Sequence, residues 1–427
     1  MKLRNLWIFV FVFLNFFSIN VFADNVTFTS PEVISSVGGD LVEIATNSTG
    51  RYVYTIYRED TSIEIKTLVS SDFGVTFTDT SDSFGVGTEP QIATNSTGKY
   101  VYIVWEDGLA EIQIYFSSDF GITWTNADPL GLIFGDGVDS HIETDSTGQF
   151  VYATWSEDGT GTGDIKIFVS SNFGATWTDA GSFGTGLVPE IETNSSGQFA
   201  YAIWRTGGGS IRTFVSTNFG VSWTNTTSGS FGTGARPEVA TDNSGQYVYV
   251  IWEDLSTNLK IFFSSDFGST WTATSSSLGS GAATGAFPKI ITDSSSGRYV
   301  YAIWSDNSDN IKIYRSNDFG VTWVDTGGSF GSTVVSALPK MATDSSGRYV
   351  YATWIEGSSN DVKIFYSLDF GATWTDTEGA FGTGLLSKIV TDNTGRHIYG
   401  TWEGVPLNIT RGFRSFFPLT SLMNKRI

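Results

Sequence analysis

Apolar residues recur along the chain in short runs with period-two alternation, and the runs group into a repeated unit of four predicted strands, A to D. In one representative unit strand A is Pro90–Thr94, strand B is Lys99–Trp105, strand C is Ile112–Phe116, and strand D opens at Thr123-Trp124-Thr125. The turn Asn95-Ser96-Thr97-Gly98 joins A to B, with Gly98 supplying the positive φ that such a turn needs.

Two motifs mark the unit. The first, Thr-Asp/Asn-x-x-Gly followed by an aromatic-rich strand, occurs eight times, with glycines at Gly50, Gly98, Gly148, Gly197, Gly245, Gly297, Gly347 and Gly395. The copies lie about 49 residues apart on average, the spacing of four-stranded propeller blades. The second is an octet of the form Ser-x-Asp-x-Gly-x-Thr-Trp, found at 70–77, 117–124, 170–177, 216–223, 264–271, 316–323 and 367–374. Eight A–B pairs against seven C–D hairpins leave one unit short of its outer half. Val26-Thr27-Phe28-Thr29 matches Val75-Thr76-Phe77-Thr78 of a D strand, Lys388–Trp402 supplies A and B, and Asn408–Phe416 is available as C. The expected fold is therefore all-β: a propeller of eight four-stranded blades, closed by N- and C-terminal strands in the last blade, with seven blades and a stray hairpin as the alternative.

The octet resembles the Asp-box, or BNR, repeat of sialidases, other glycoside hydrolases and non-catalytic propellers such as sortilin-type receptors. The resemblance covers nearly the whole mature chain. It implies a propeller but not an activity, since one fold hosts many functions. Read physically, the octet is a turn staple. The side chain of Asp72, Asp119, Asp266, Asp318 or Asp369, or of Asn172 or Asn218 in two copies, accepts backbone N–H bonds in the C–D turn. The Gly adopts the left-handed conformation, and the Trp packs against its blade. Uncharged Asn in two copies suits a turn and not a catalytic acid.

Of 14 tryptophans, Trp7 lies near the N-terminus, six close octets and seven end B strands, so none remains as an isolated sugar-stacking platform. For a sialidase the resemblance implies a site on the face opposite the octets, with three arginines, a Tyr–Glu pair and an Asp acid/base. This chain departs from that set. It has no Phe-Arg-Ile-Pro segment, its nearest match being Ala235-Arg236-Pro237-Glu238, and its 17 tyrosines fall at repeat positions.

Charge and composition narrow the function further. With 24 Lys+Arg against 44 Asp+Glu and a net charge of −20, nucleic-acid binding is not expected. Cysteine is absent, which excludes disulfides, thiolate catalysis and Cys-ligated metals. His141 and His397 are the only histidines, too few for a poly-His metal site. No metal or other cofactor is expected; oxygen-rich loops leave room for a loosely held Ca²⁺, though without EF-hand or nonapeptide spacing. Residues 1–23 read as a signal peptide: Lys2 and Arg4, the apolar run Leu6–Leu14 continuing to Phe17, then Val21-Phe22-Ala23. Asn15, Ser18 and Asn20 interrupt the run and argue against a permanent anchor, and no other stretch reaches membrane-spanning length. Residues 24–427 are expected to form one secreted or extracytoplasmic domain, in the periplasm or at the cell surface, without a membrane span and monomeric.

The residue opening each A strand runs Glu43, Gln91, His141, Glu190, Glu238, Lys289, Lys340, Lys388 around the ring, acidic on one side and basic on the other. Lys289, Lys340 and Lys388, with Arg236 and His141, are the candidate ligand-binding residues. Ordinary pairing of each Lys with a neighbouring blade's carboxylate is the competing expectation. Glu143 and Glu192, two positions after His141 and Glu190, are the candidates for acid/base chemistry. The B–C loops carry Glu59/Asp60, Glu106/Asp107, Glu157/Asp158, Glu253/Asp254, Asp306/Asp309 and Glu356, read as a solvated acidic rim. Together these features point to non-catalytic recognition of a glycan or protein. Specificity is expected in the unequal D–A loops Ser81–Pro90, Asp128–Ser140, Ser275–Pro288 and Gly327–Pro339. A glycoside hydrolase and a multivalent surface scaffold are the alternatives.

Overall fold

Val101, Tyr102, Ile103, Val104 and Trp105 are all fully buried, so strand B does not alternate between core and solvent. Both of its faces are covered, because each sheet stands between two others. The computed structural model describes residues 22–418, except 82–83, 132, 228–230, 257, 275–277, 279–286, 307, 309, 328–329, 332–337, 378–380 and 405. The described residues contain no helix and form eight antiparallel sheets. Blade 2 illustrates the order A to D with Gly87–Thr94, Val101–Asp107, Ile112–Ser117 and Thr125–Asn126. The outermost strand is only two residues long there, shorter than its sequence pattern implies. Hydrophobic cores lie between blades: Tyr102, Val104, Ile112 and Ile114 of blade 2 pack against Ile142, Ala153 and Trp155 of blade 3.

The ring closes as the terminal repeats require. In blade 8, A (Leu385–Thr391), B (His397–Glu403) and C (Leu407–Pro418) come from the C-terminal part of the chain, and Phe22–Phe28 adds D. Val26 pairs with Arg414 and Phe28 with Gly412. A second segment, Glu32–Ser35, continues along the same strand opposite Leu407–Ile409, so the D position is filled in two pieces. The seven-bladed alternative is excluded, since the last hairpin belongs to a complete eighth sheet.

Two further rings run through all eight blades. The B-strand tyrosines donate to the carbonyl of the motif glycine one blade on, from Tyr54 to Gly98 (2.6 Å) through Tyr351 to Gly395 (2.6 Å), and Tyr399 returns to Gly50 (2.6 Å). Backbone amides in the A–B turns do the same: Ser48 donates to Ser96 (3.0 Å), Ser96 to Ser146 (3.0 Å), and onward until Asn393 donates to Ser48 (3.1 Å). Asn47, Asn95 and Asn194 are buried in these turns. The Asn95 side chain accepts the Tyr100 N–H (3.1 Å) and donates to the Thr147 carbonyl of the next blade (3.0 Å).

The octet is the predicted staple, with two differences. Asp72 accepts the Thr76 N–H (2.9 Å) and hydroxyl (2.7 Å), while the Ser70 hydroxyl donates to Asp72 (2.8 Å) and accepts the Gly74 N–H (2.9 Å). In the Asn172 copy the Asn oxygen still takes the Thr176 N–H (2.9 Å), and its amide donates to the Thr176 hydroxyl (2.8 Å). The first difference is that Phe73 as well as Gly74 has a left-handed backbone (φ 62° and 75°), as do the Phe–Gly pairs of all seven copies. That conformation costs an L-residue about 1–2 kcal/mol. It is offset by stacking of the Phe on an aromatic of the preceding blade, as Phe120 stacks on Tyr52 with centroids 4.6 Å apart. The second difference is that the Trp reaches the preceding blade as well as its own: Trp124 packs with Tyr54 and Val69 of blade 1 and Val101 of blade 2, and donates to the Thr80 hydroxyl of blade 1 (3.2 Å). The octet thus ties blades together.

Candidate functional site: the axial cavity

Strand A of each blade runs from a D–A loop to an A–B turn, so the first channel-facing residues of all eight gather at one end of the axis. In seven blades the strand enters through a non-glycine residue in the left-handed region: Leu41, Glu89, Asp139, Val188, Arg236, Phe287 and Leu386, with φ between 34° and 55°. Such strain persists only where the surroundings over-determine it. Here the support includes buried glutamates at the ends of B strands. Glu403 accepts the Leu41 N–H (2.5 Å), and Glu106 lies beside the Asp139–Ser140 backbone, whose N–H groups favour its charged form. Each glutamate reaches the following blade.

Two residues beyond those seven bulges, and at Lys340 in the remaining blade, stand the eight ring positions, and all of them line a cavity of ≈ 350 Å³ on the axis, with Glu192 a step deeper. The predicted division into acidic and basic arcs holds. The pairing within it is uneven. Lys388 forms an ion pair with Glu43 of blade 1, and Lys289 with Glu238 of blade 5. His141 Nε2 lies 3.2 Å from Glu190. Lys340, between the two paired lysines, has no carboxylate partner among the described residues; its amine neighbours that of Lys289. The competing expectation of routine pairing therefore describes Lys289 and Lys388 but not Lys340.

Burial raises Glu43, but the ammonium of Lys388, with Lys340 and Lys289 beyond it, outweighs that and holds it below the usual carboxylate range. Burial also raises Glu190 and Glu238 more than the lysines lower them. Glu192 is driven well up by burial and then by Glu143, Glu190 and Glu238, while burial and the ammoniums of Lys289 and Lys388 drive Lys340 well down. Burial lowers His141 and raises Glu143, each partly opposed by the other. The cavity is thus a low-dielectric chamber whose unpaired groups resist ionisation when empty.

The sequence candidates are distributed as follows. His141, Lys289, Lys340, Lys388 and Glu192 line the cavity, and Glu143 lies behind them within electrostatic reach of His141 and Glu192. Arg236 is not among the lining residues: its guanidinium lies over the Phe287 ring (3.9 Å) and 3.6 Å from Glu253, at the bulge. Asp72, Asp119, Asn172, Asn218, Asp266, Asp318 and Asp369 sit in the C–D turns, which the meander places at the A–B turn end of the blades, away from the cavity mouth. Most of the loops Ser275–Pro288 and Gly327–Pro339, and Asp309, fall outside the described residues. Among the described residues no group of three or more His, Asp or Glu side chains is placed to hold a metal ion, and no helix is long and apolar enough to cross a membrane.

The acidic rim is less solvated than its composition implies. Glu157, Asp254, Asp306 and Glu356 pair with Lys166, Lys260, Lys312 and Lys363 of the adjoining C strands (3.1–3.7 Å). Glu106, Glu253 and Glu403 are buried, and burial pushes both Glu106 and Glu403 up to about 7. The available signal was a glutamate directly after the strand-ending tryptophan: Trp105-Glu106, Trp252-Glu253, Trp402-Glu403. A carboxyl that is raised in the folded state binds more protons folded than unfolded, so its contribution falls as pH rises from about 4.5 towards 7. Glu106→Gln is expected to match the wild type at pH 5 and to melt about 2–4 °C higher at pH 8. Thermal melts at the two pH values test this, and a variant less stable at both would show that the carboxylate's backbone bonds dominate.

The BNR-Asp box repeat family model matches residues 167–180 and 313–326. No curated protein matches the chain. Among solved structures, YCF48 from Cyanidioschyzon merolae is 12% identical over 80% of this chain and 99% of its own, with a TM-score of 0.49. The GH74 enzyme of Niastella koreensis is 16% identical over 88% and 73%, with a TM-score of 0.47. The β-propeller domain of the Trilobed protease from Pyrococcus furiosus is 7% identical over 79% and 98%, with a TM-score of 0.48. Similarities of this size transfer no activity, ligand or partner. The motif match and the ring of sheets agree with each other, and the chain is an eight-bladed β-propeller carrying BNR-Asp box repeats.

Proposed function

We propose that this propeller is a non-catalytic recognition module that receives an acidic group of a glycan or protein in its axial cavity. The observation that carries this reading is Lys340, a cavity-lining amine without a carboxylate of its own, set in an arc with two other lysines. A cavity of ≈ 350 Å³ lies at the small end of the range for ligand sites, about 300–1,000 Å³, and suits one terminal residue rather than a long chain. An acidic group entering it meets a donor that needs no competing ion pair broken. The N-terminal segment 1–23 supports export, placing the partner outside the cytoplasm.

On this reading Lys340→Met abolishes binding to acidic members of a glycan array, or weakens it at least about tenfold, while leaving the melting temperature unchanged. Retention of binding in that variant refutes it. A glycoside hydrolase is the second reading. It is favoured by Glu143 and Glu192, carboxyl groups from adjacent blades of which Glu192 is raised the more strongly, since acid/base hydrolysis uses one protonated carboxyl and one ionised carboxylate. Turnover of 4-methylumbelliferyl glycosides that is lost in Glu192→Gln would establish it. Silence in both assays would favour a scaffold.

A further inference from the structure

The cavity charges are arranged about a direction, not only about an axis. Lys388 and Lys289 flank Lys340, and each is paired with a carboxylate on its far side, Glu43 in blade 1 and Glu238 in blade 5. The amine of Lys340, beside that of Lys289, is therefore left without a carboxylate in blade 7. In an eight-membered ring the blade facing blade 7 is blade 3, which carries His141 and Glu143, with Glu190 and Glu192 beside them in blade 4. There the His141–Glu190 contact (3.2 Å) takes up one carboxylate. Glu192, one tier deeper in the same cavity, has no hydrogen-bond or ion-pair partner among the described residues. One half of the cavity thus presents an unpaired amine, and the other an unpaired carboxyl backed by Glu143.

We propose that the axial cavity takes a compact zwitterion, about the size of one sugar or amino-acid residue, with its anionic end at Lys340 and its cationic end at Glu192 and Glu143. The proposal rests on the reading of this cavity as the recognition site and adds the second half of the ligand. An anion alone would satisfy Lys340 while adding its field to that of Glu43, Glu190 and Glu238. A cation alone would satisfy Glu192 but face three lysines. Only a molecule bearing both signs leaves neither half uncompensated.

Proton bookkeeping distinguishes the cases. Burial with the ammoniums of Lys289 and Lys388 lowers Lys340, and burial with Glu143, Glu190 and Glu238 raises Glu192, so each end is pushed towards its neutral form when the cavity is empty. With both ends neutral beforehand, a zwitterion charges them by moving one proton from Glu192 to Lys340, with no exchange with the buffer. A simple anion must draw that proton from solution, which makes its binding weaken as pH rises.

The test is isothermal titration of the full mature chain with ω-amino acids of four to six carbons, and with pentanoate and pentylamine as single-charge controls. Repeating each titration in buffers of different ionisation enthalpy counts the protons exchanged. At least one ω-amino acid is expected to bind about tenfold tighter than either control, with near-zero proton uptake, whereas pentanoate takes up a proton. Glu192→Gln should remove the preference for the zwitterion and leave pentanoate within about twofold of the wild type; Lys340→Met should weaken both. Equal binding of pentanoate and the ω-amino acids, or a preference unaffected by Glu192→Gln, overturns the zwitterion proposal while anion recognition stands. Absence of binding by any probe overturns it too, and the acidic-glycan array then decides the broader reading. Proton counts on the wild-type chain keep the proposal testable should either variant fail to fold.

Discussion

A chain that begins at Pro31 is expected to lose most of the folding free energy of one that begins at Asp24. The missing segment is the D strand of blade 8, and it does more than add a ladder. Val26 is buried and Phe28 packs with it against blade 7 beside Tyr351 and Phe381, each burial contributing about 1.5–3 kcal/mol. Asp24 accepts the Tyr349 hydroxyl (3.0 Å) and lies 3.5 Å from the guanidinium of Arg414, whose side chain is only 5% exposed and stacks on the Tyr349 ring at 3.6 Å. Removing one partner of a buried pair costs about 3–5 kcal/mol. Together the losses are on the order of 8 kcal/mol, against about 5–15 kcal/mol for a typical whole domain. The Gly412–Phe416 stretch, which the removed segment covers, would also offer an unpaired edge to other chains. Melting temperatures and light scattering of the two chains test this. An unchanged melting temperature would mean that the ring does not depend on the shared blade.

The second large effect is expected at the strand-ending tryptophans. Trp204 is fully buried, stacked on Phe214 with centroids 4.9 Å apart, and its edge meets Gly186, where a Cβ would lie 2.4 Å from Cδ1. The indole N–H has no partner, and the same holds for Trp105, Trp155, Trp252, Trp354 and Trp402. These rings therefore act through apolar area and shape, with no hydrogen bond to lose. Trp204→Ala is expected to destabilise by about 3–5 kcal/mol, measured from urea unfolding midpoints. The octet residue Trp177 is partly exposed and donates to the Gly174 carbonyl (3.1 Å), so Trp177→Ala should cost less. A reversed order would place the main blade-to-blade adhesion in the C–D turns.

The repeat arithmetic carried the architecture. Blade number, strand order and the shared last blade follow from glycine spacing and from one four-residue match between Val26–Thr29 and Val75–Thr78. These features are local: a turn glycine, a capping Asp or Asn and an alternating strand each act within a few residues, so their chemistry is written in order along the chain. Less legible was anything that depends on what lies across a blade boundary. Period two delimits the strands without saying how many faces are covered, and B strands are covered on both sides because sheets stack in a ring. The octet Trp and Phe look like hairpin anchors in one dimension; in space they grip the preceding blade.

The same division applies to the cavity. The chain itself determined which eight residues ring the axis and that acids and lysines occupy opposite arcs, because each ring position is fixed by its distance from a motif glycine. Only the tertiary structure decided that Lys388 and Lys289 turn to Glu43 and Glu238 and leave Lys340 alone, that Arg236 is held at a bulge by Phe287 and Glu253, and that Glu106 and Glu403 are buried supports rather than surface charge. Partner choice among like residues depends on reach and burial across blades some fifty positions or more apart in sequence. Those distances exist only once the ring has closed.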